Sequence, residues 1–173
     1  MNGELETPMI TFDLPAARFT YRVAAAVVHE GRVLLNREEA DSFWFLPGGR
    51  CEAMEPSSVA LLREMREELG ETVTIERLLW VAENFFTDAR GPHHELGLYY
   101  LATLPPSSPL LGGTTFRSLE QHIPLVLQWF PLDETAHLPL YPVFLRAGLQ
   151  NLPDRLEHIV NRDGREPLDP AAP

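Results

Sequence analysis

The chain has 173 residues, 45% of them hydrophobic, which suits one globular domain with a buried core and argues against disorder. Fourteen Lys+Arg against 25 Asp+Glu give a formal charge of −11 and a sequence pI of about 4.9, so a charge-based grip on a nucleic-acid polymer or an anionic membrane is excluded. Cys51 is the single cysteine, which rules out an internal disulfide, and the longest apolar run, Val23 to Val28, falls far short of the ~20 residues that span a bilayer.

The first twenty residues read as an irregular lead-in with room for a short edge strand, because Pro8 and Pro15 interrupt them. Arg22–His29 and Arg32–Asn36 read as a hairpin turned at Glu30-Gly31. Phe43–Leu46 reads as a short aromatic strand that Pro47-Gly48-Gly49 breaks. Pro56–Gly70 is the clearest helix, with proline at the first helical position and glycine just past the end. Thr72–Phe86 reads as one long or two short strands, Glu95–Leu104 as another, and Leu125–Leu132 as a further one. The stretch from Pro105 through Gly113 reads as a surface loop, Pro142–Leu152 as a C-terminal helix, and the segment after Asp163 as a frayed tail. The expected organisation is therefore a lead-in over 1–20, one domain over 21–155 and a tail over 156–173. Mixed strands with one central and one terminal helix predict an α/β sandwich rather than a doubly wound nucleotide fold.

The helix is the informative element. At about 100° per residue, Glu68 lies about 40° to one side of Glu64 and Glu67 about 60° to the other, so three carboxylates share a direction. Leu62, Met65 and Leu69 fall on the opposite half, with Leu61 and Val59 at its margins, which predicts one core face and one carboxylate face. Such a face is either a solvated, salt-bridged surface or a site for a hard divalent cation, which takes oxygen ligands from a few carboxylates plus substrate phosphate. The Gly48-Gly49 turn favours the second reading, since glycine lets a backbone carbonyl approach a metal closely. An acidic chain also needs cations before it can hold a diphosphate.

Gly49, five residues, Glu55, seven residues, and then Arg63-Glu64-Met65-Arg66-Glu67-Glu68-Leu69-Gly70 resembles the Nudix box, with each fixed letter at its spacing. Two positions depart from the usual pattern. Glu71 replaces the final bulky apolar residue, with Val73 nearby to take over its contact, and Met54 stands where many members carry glycine. The hairpin, the Phe-Trp-Phe-Leu-Pro-Gly-Gly lead-in and the Trp129-Phe130-Pro131-Leu132 strand end are similar to the family's layout over roughly residues 20 to 150. The resemblance implies an α/β/α sandwich and metal-dependent hydrolysis of a nucleoside diphosphate linked to another moiety, with Mg²⁺, or alternatively Mn²⁺, as cofactor. It implies that Glu64, Glu67 and Glu68 bind the metal with the carbonyl of Gly48 or Gly49, that Glu55 supports the site, and that Arg63 orients a box glutamate. The competing reading is a Nudix-fold module that binds or senses a nucleotide without turnover; the intact set of box glutamates counts against it.

Outside the box, Glu95 is a candidate extra metal ligand or general base, and Glu120 competes with it; Glu68 is the third candidate base. His93 and His94 read as surface residues rather than zinc ligands. Trp44 and Phe86 are the aromatics taken to stack on a nucleobase. Cys51 reads as inert, because acidic neighbours suppress the thiolate. Subfamily markers outside the box are missing, so the substrate is expected to be a small nucleoside diphosphate derivative of unspecified kind. The N-terminus lacks the basic and apolar regions of a signal peptide, so a cytoplasmic protein is expected, with a homodimer as the open alternative to a monomer.

Overall fold

The apolar run Val23–Val28 lies within β2 (Arg18–His29), and its placement explains its composition. Val23, Ala25 and Val27 pack on one side of the sheet, Ala24 and Ala26 on the other, so both faces of the strand are buried. The computed structural model describes residues 8–119 and 124–163. In it β2 pairs antiparallel with β1 (Thr11–Asp13), β3 (Arg32–Glu38) and β4 (Gly48–Arg50), and parallel with β6 (Gly91–Thr103). With β5 (Thr74–Asp88), β7 (Thr115–Arg117), β8 (Leu125–Pro131) and β9 (Glu157–Arg162), the mixed sheet runs β7-β8-β3-β2-β6-β5-β9. The β2–β3 turn holds Glu30 and Gly31 at φ 48° and 73°, the paired left-handed conformation that suits a two-residue hairpin.

Helix α1 (Ser57–Leu69) covers one face of the sheet through Ala60, Leu61 and Met65. The other face is covered by the short α2 (Leu145–Gly148) and a 3₁₀ turn over Leu132–His137, whose neighbourhood buries Leu140, Leu145 and Leu149. Helical layers on both sides of a mixed sheet make this the expected α/β/α sandwich. Gly70 ends α1 at φ 70°, and its N–H donates to Arg66 O at 3.1 Å. Among the described residues no helix is long and apolar enough to cross a membrane.

Four expectations are corrected. The C-terminal helix shrinks from Pro142–Leu152 to Leu145–Gly148, and Gly148 is packed against the Trp80 indole instead of extending a helix. Phe43–Leu46 makes only isolated bridges, Phe45 to Asn36 and Trp44 to Leu140. Gly48 and Gly49, read as a break, lie in strand β4: a Cβ on Gly48 would strike the Val23 carbonyl, so glycine is what lets this strand lie against β2. The segment assigned to the tail contributes β9, parallel to β5 from Trp80↔Glu157 to Phe85↔Arg162. The loop after Pro105 is also less open than expected, since Leu110 is buried in a 3₁₀ turn and its carbonyl accepts from Trp129 Nε1 at 2.8 Å.

Candidate active site

Helix α1 does not separate an apolar face from a carboxylate face. Its buried residues are Ala60, Leu61, Glu64, Met65, Glu68 and Leu69, whereas Val59 is half exposed. Glu64 and Glu68 therefore lie within the buried arc, 8% and 5% exposed, and each carboxylate needs a built environment. Glu68 Oε2 accepts from the Gly48 N–H and from Asn36 Nδ2, both at 3.1 Å. The Glu64 carboxyl rests on Gly49, where any Cβ would overlap it. Burial raises the Glu64 pKa, against the opposing pull of Arg63. Glu67 is the outer member of the trio, with half its side chain exposed.

Arg63 ties the cluster together. Its Nε and one terminal nitrogen hold Glu55 in a bidentate pair, each at 3.0 Å, and its other terminal nitrogen reaches Glu64 Oε1 at 2.8 Å and Glu67 Oε2 at 3.3 Å. It also donates to the Arg50 carbonyl at 3.0 Å. The Arg63 hydrogen bonds hold the Glu55 carboxyl below its ordinary range, and Glu55 in turn accepts from the Glu52 N–H. Cys51 is fully buried beside this cluster, and burial first, with the Glu55 charge second, pushes its thiol up to about 11. The raised thiol disfavours the thiolate, and burial contributes more to this than the acidic neighbours do.

The two departures from the box have physical explanations. Val73 is buried in the α1-side core, and Glu71 instead accepts from Ser108 Oγ at 2.6 Å. Met54 is fully exposed at φ 66°, a left-handed conformation that glycine adopts without the penalty paid by other residues. Met54→Gly is expected to stabilise the fold by up to about 1 kcal/mol, glycine's extra unfolded-state freedom offsetting part of the relief. Thermal unfolding checks this, and a lowered Tm would refute it.

A cavity of about 790 Å³ opens beside the cluster, with Arg22 in its wall. Arg22 donates to Gly48 O at 3.0 Å, and its charge acts on both Glu64 and Tyr99. Phe43, Phe86 and Tyr141 supply aromatic walls. Phe86 lines the cavity, stacked on His93 with centroids 4.7 Å apart. Trp44 does not: it is 9% exposed in the core on the sheet face away from α1, edge-on to Phe130 at 4.8 Å and beneath Arg37. Phe43, Phe45 and Leu46 line the cavity, whereas Trp44 packs in the core beneath the same sheet face. Glu95 lines the cavity, its Oε1 accepting from Asn84 Nδ2 at 3.0 Å. Glu120 lies outside the described residues.

His93 and His94 are not simple surface residues. His93 Nε2 lies 2.9 Å from Asp88 Oδ1 without hydrogen-bond alignment, and His94 is stacked on Phe85 with centroids 4.5 Å apart. The residues that sequence reasoning missed are Arg22, Asn36, Asn84, Tyr99 and Tyr141. Asn36 had a usable signal: it is two residues from Leu34 in one strand, so alternation puts an amide on a core face. The others depend on pairing between distant strands.

Among the described residues no three His, Cys, Asp or Glu side chains converge as a ready-made cation cage, because Glu64 and Glu67 share Arg63. The donor set nevertheless fits a hard divalent ion. It consists of carboxylate oxygens on two nearly buried residues and on Glu67, beside a glycine of strand β4 that leaves no room for a side chain over Glu64.

Comparison with known proteins identifies relatives of the chain and of its fold. The NUDIX domain family model matches residues 19–149. The CTP pyrophosphohydrolase of Escherichia coli is 40% identical over 124 residues, 69% of this chain and 82% of that protein. The Low-salt glycan biosynthesis protein Agl8 of Haloferax volcanii is 41% identical over 86 residues; the match takes in 47% of this chain and about half, 53%, of that relative's length. In structure, a MutT NUDIX hydrolase from Burkholderia pseudomallei superposes with a TM-score of 0.56 at 28% identity, covering 78% of this chain and 98% of the other. The match over residues 19–149 takes in well over half of the chain, and this chain belongs to the NUDIX domain family.

Proposed function

We propose that the chain hydrolyses the diphosphate bridge of a nucleoside diphosphate linked to another moiety, releasing a nucleoside monophosphate and a phosphorylated remainder. The observation that carries this reading is the position of Arg22. It joins Gly48 of strand β4, on which Glu68 is anchored, to an aromatic-walled cavity large enough for a nucleotide. Phe86 and Phe43 offer stacking faces for a base, worth ~1–3 kcal/mol per base, while Arg22 offsets phosphate charge next to the carboxylates.

Glu64, Glu67 and Glu68, with the carbonyl of Gly48 or Gly49, are the groups that would hold Mg²⁺ or Mn²⁺, and Glu55 and Arg63 support them. A bound divalent cation supplies Lewis-acid polarisation of the phosphoryl oxygens. Glu95 takes the proton of the attacking water. It is favoured over Glu68 because Glu95 lines the cavity, whereas Glu68 is 5% exposed and its Oε2 is held by Gly48 and Asn36.

Turnover of CTP, ADP-ribose and UDP-glucose, with the products identified, tests the reading. At least one is expected to be cleaved with Mg²⁺ and to be untouched in excess EDTA. In ¹⁸O-labelled water, a single turnover with enzyme in excess places the label on one product phosphate. Full activity in EDTA overturns the metal-dependent mechanism, and an unlabelled first-turnover product overturns direct attack by water.

A further inference from the structure

Asn84 is an amide in the middle of an apolar strand, and it is wholly buried. Its Nδ2 donates to Glu95 Oε1 and to Tyr99 OH, each at 3.0 Å. A carboxylate can only accept, so the atom facing Glu95 must be the amide nitrogen, which fixes the side chain's orientation. Both amide protons are thereby used, and Oδ1 is left buried without a partner.

Two other features converge on this amide. Tyr99 reaches it only because Gly97 stands between them: a Cβ on Gly97 would come within 2.6 Å of Tyr99 Cε2 and 3.0 Å of its hydroxyl. On the far side, Asn161 of β9 is in register with Asn84 and 7% exposed, and its Nδ2 is also buried without a partner. One strand presents an orphan acceptor and the next an orphan donor. Buried polar atoms are rarely left unpaired, and such exceptions call for an explanation. The row Asn161, Asn84, Glu95 crosses β9, β5 and β6 and ends in the cavity wall. Its outer member lies beyond the segment that the NUDIX domain matches, residues 19–149.

We propose that Asn84 is a positioning residue for Glu95, with Tyr99 steering it from β6. This rests on the reading of Glu95 as the base. The amide holds one carboxylate oxygen so that the other is aimed at the water, and it acts through Glu95 alone.

A double-mutant cycle tests this, using whichever of CTP, ADP-ribose and UDP-glucose turns over fastest with Mg²⁺. Asn84→Leu, close in shape but unable to donate, is expected to lower kcat about 10- to 100-fold with KM nearly unchanged. Tyr99→Phe, which removes one hydroxyl, is expected to lower kcat about 2- to 10-fold. Neither substitution is expected to cost anything further in a Glu95→Gln background. In the metal-free protein, the ¹³C-carboxyl resonance of Glu95 is expected to move on either substitution. If Glu95→Gln leaves kcat unchanged, the base assignment fails and this proposal with it. If Glu95→Gln lowers kcat but the Asn84→Leu loss adds to it in full, or the Glu95 resonance stays in place, only the positioning role is overturned. Should Asn84→Leu not fold, Tyr99→Phe decides by the same two criteria.

Discussion

Glu68→Gln is expected to lower kcat by two orders of magnitude or more while the protein keeps its fold. The two acceptor bonds from Gly48 N and Asn36 Nδ2 converge on one oxygen, Oε2. A glutamine that places its carbonyl there keeps both, so the strand β4 contact to α1 survives. What disappears is one negative charge from the nearly buried carboxylates proposed to hold the cation, and each 1.36 kcal/mol of transition-state stabilisation lost is a factor of ten. Glu71→Gln is the control. Its partner, Ser108 Oγ, donates to Oε1 and is served equally by an amide carbonyl, so kcat should be unchanged. Steady-state kinetics with thermal unfolding of each variant checks both. Normal kcat and normal metal dependence in Glu68→Gln would remove Glu68 from the ligand set.

Arg63→Met is expected to cost the largest share of stability, about 3 kcal/mol at neutral pH. Glu55 and Glu64 have side chains 11% and 10% exposed, and Arg63 is the cation both of them share. Methionine replaces the stem but deprives two nearly buried carboxylates of the guanidinium that hydrogen-bonds both of them. The sign of the pH dependence follows from Glu55. Arg63 lowers its pKa in the folded state, so its contribution is present above the ordinary carboxylate range and is lost as pH falls through the lowered value. Without Arg63 that contribution is absent, and protonation relieves the remaining repulsion. The difference between wild type and variant should therefore be greatest near neutrality and shrink on acidification. Denaturant unfolding across pH 3 to 7 measures it, roughly spanning the carboxylate range. A loss that grows toward low pH would contradict this account.

Local signals carried the helix and the motif. The spacing from Gly49 to Gly70 reads directly as an amphipathic helix with a glycine end, because caps and the 3.6-residue period act over a few neighbouring residues. The β2–β3 hairpin was legible for the same reason: Glu30-Gly31 needs only its own two backbone conformations. The orientation of the carboxylates was not. A helical wheel shows that Glu64 and Glu68 share a direction, but whether that direction meets solvent or protein depends on β4, which β2 holds in place.

The same limit explains the remaining differences. The run Phe43-Trp44-Phe45 does not show which ring faces where, and its bridges to Asn36 and Leu140 decided that the phenylalanines line the cavity and the tryptophan joins the core. Strand β9 has no strong period of its own and is a strand because β5 offers it an unpaired edge. The meeting of Asn161, Asn84, Tyr99 and Glu95 joins residues up to 77 positions apart. The residue types and spacing of the box thus determined the family, since the motif depends on one helix and the chain that leads into it. Which carboxylate is buried, which aromatic lines the cavity and what steadies Glu95 were decided only by strand pairing across the sheet, where hydrogen-bond register sets each side chain's direction.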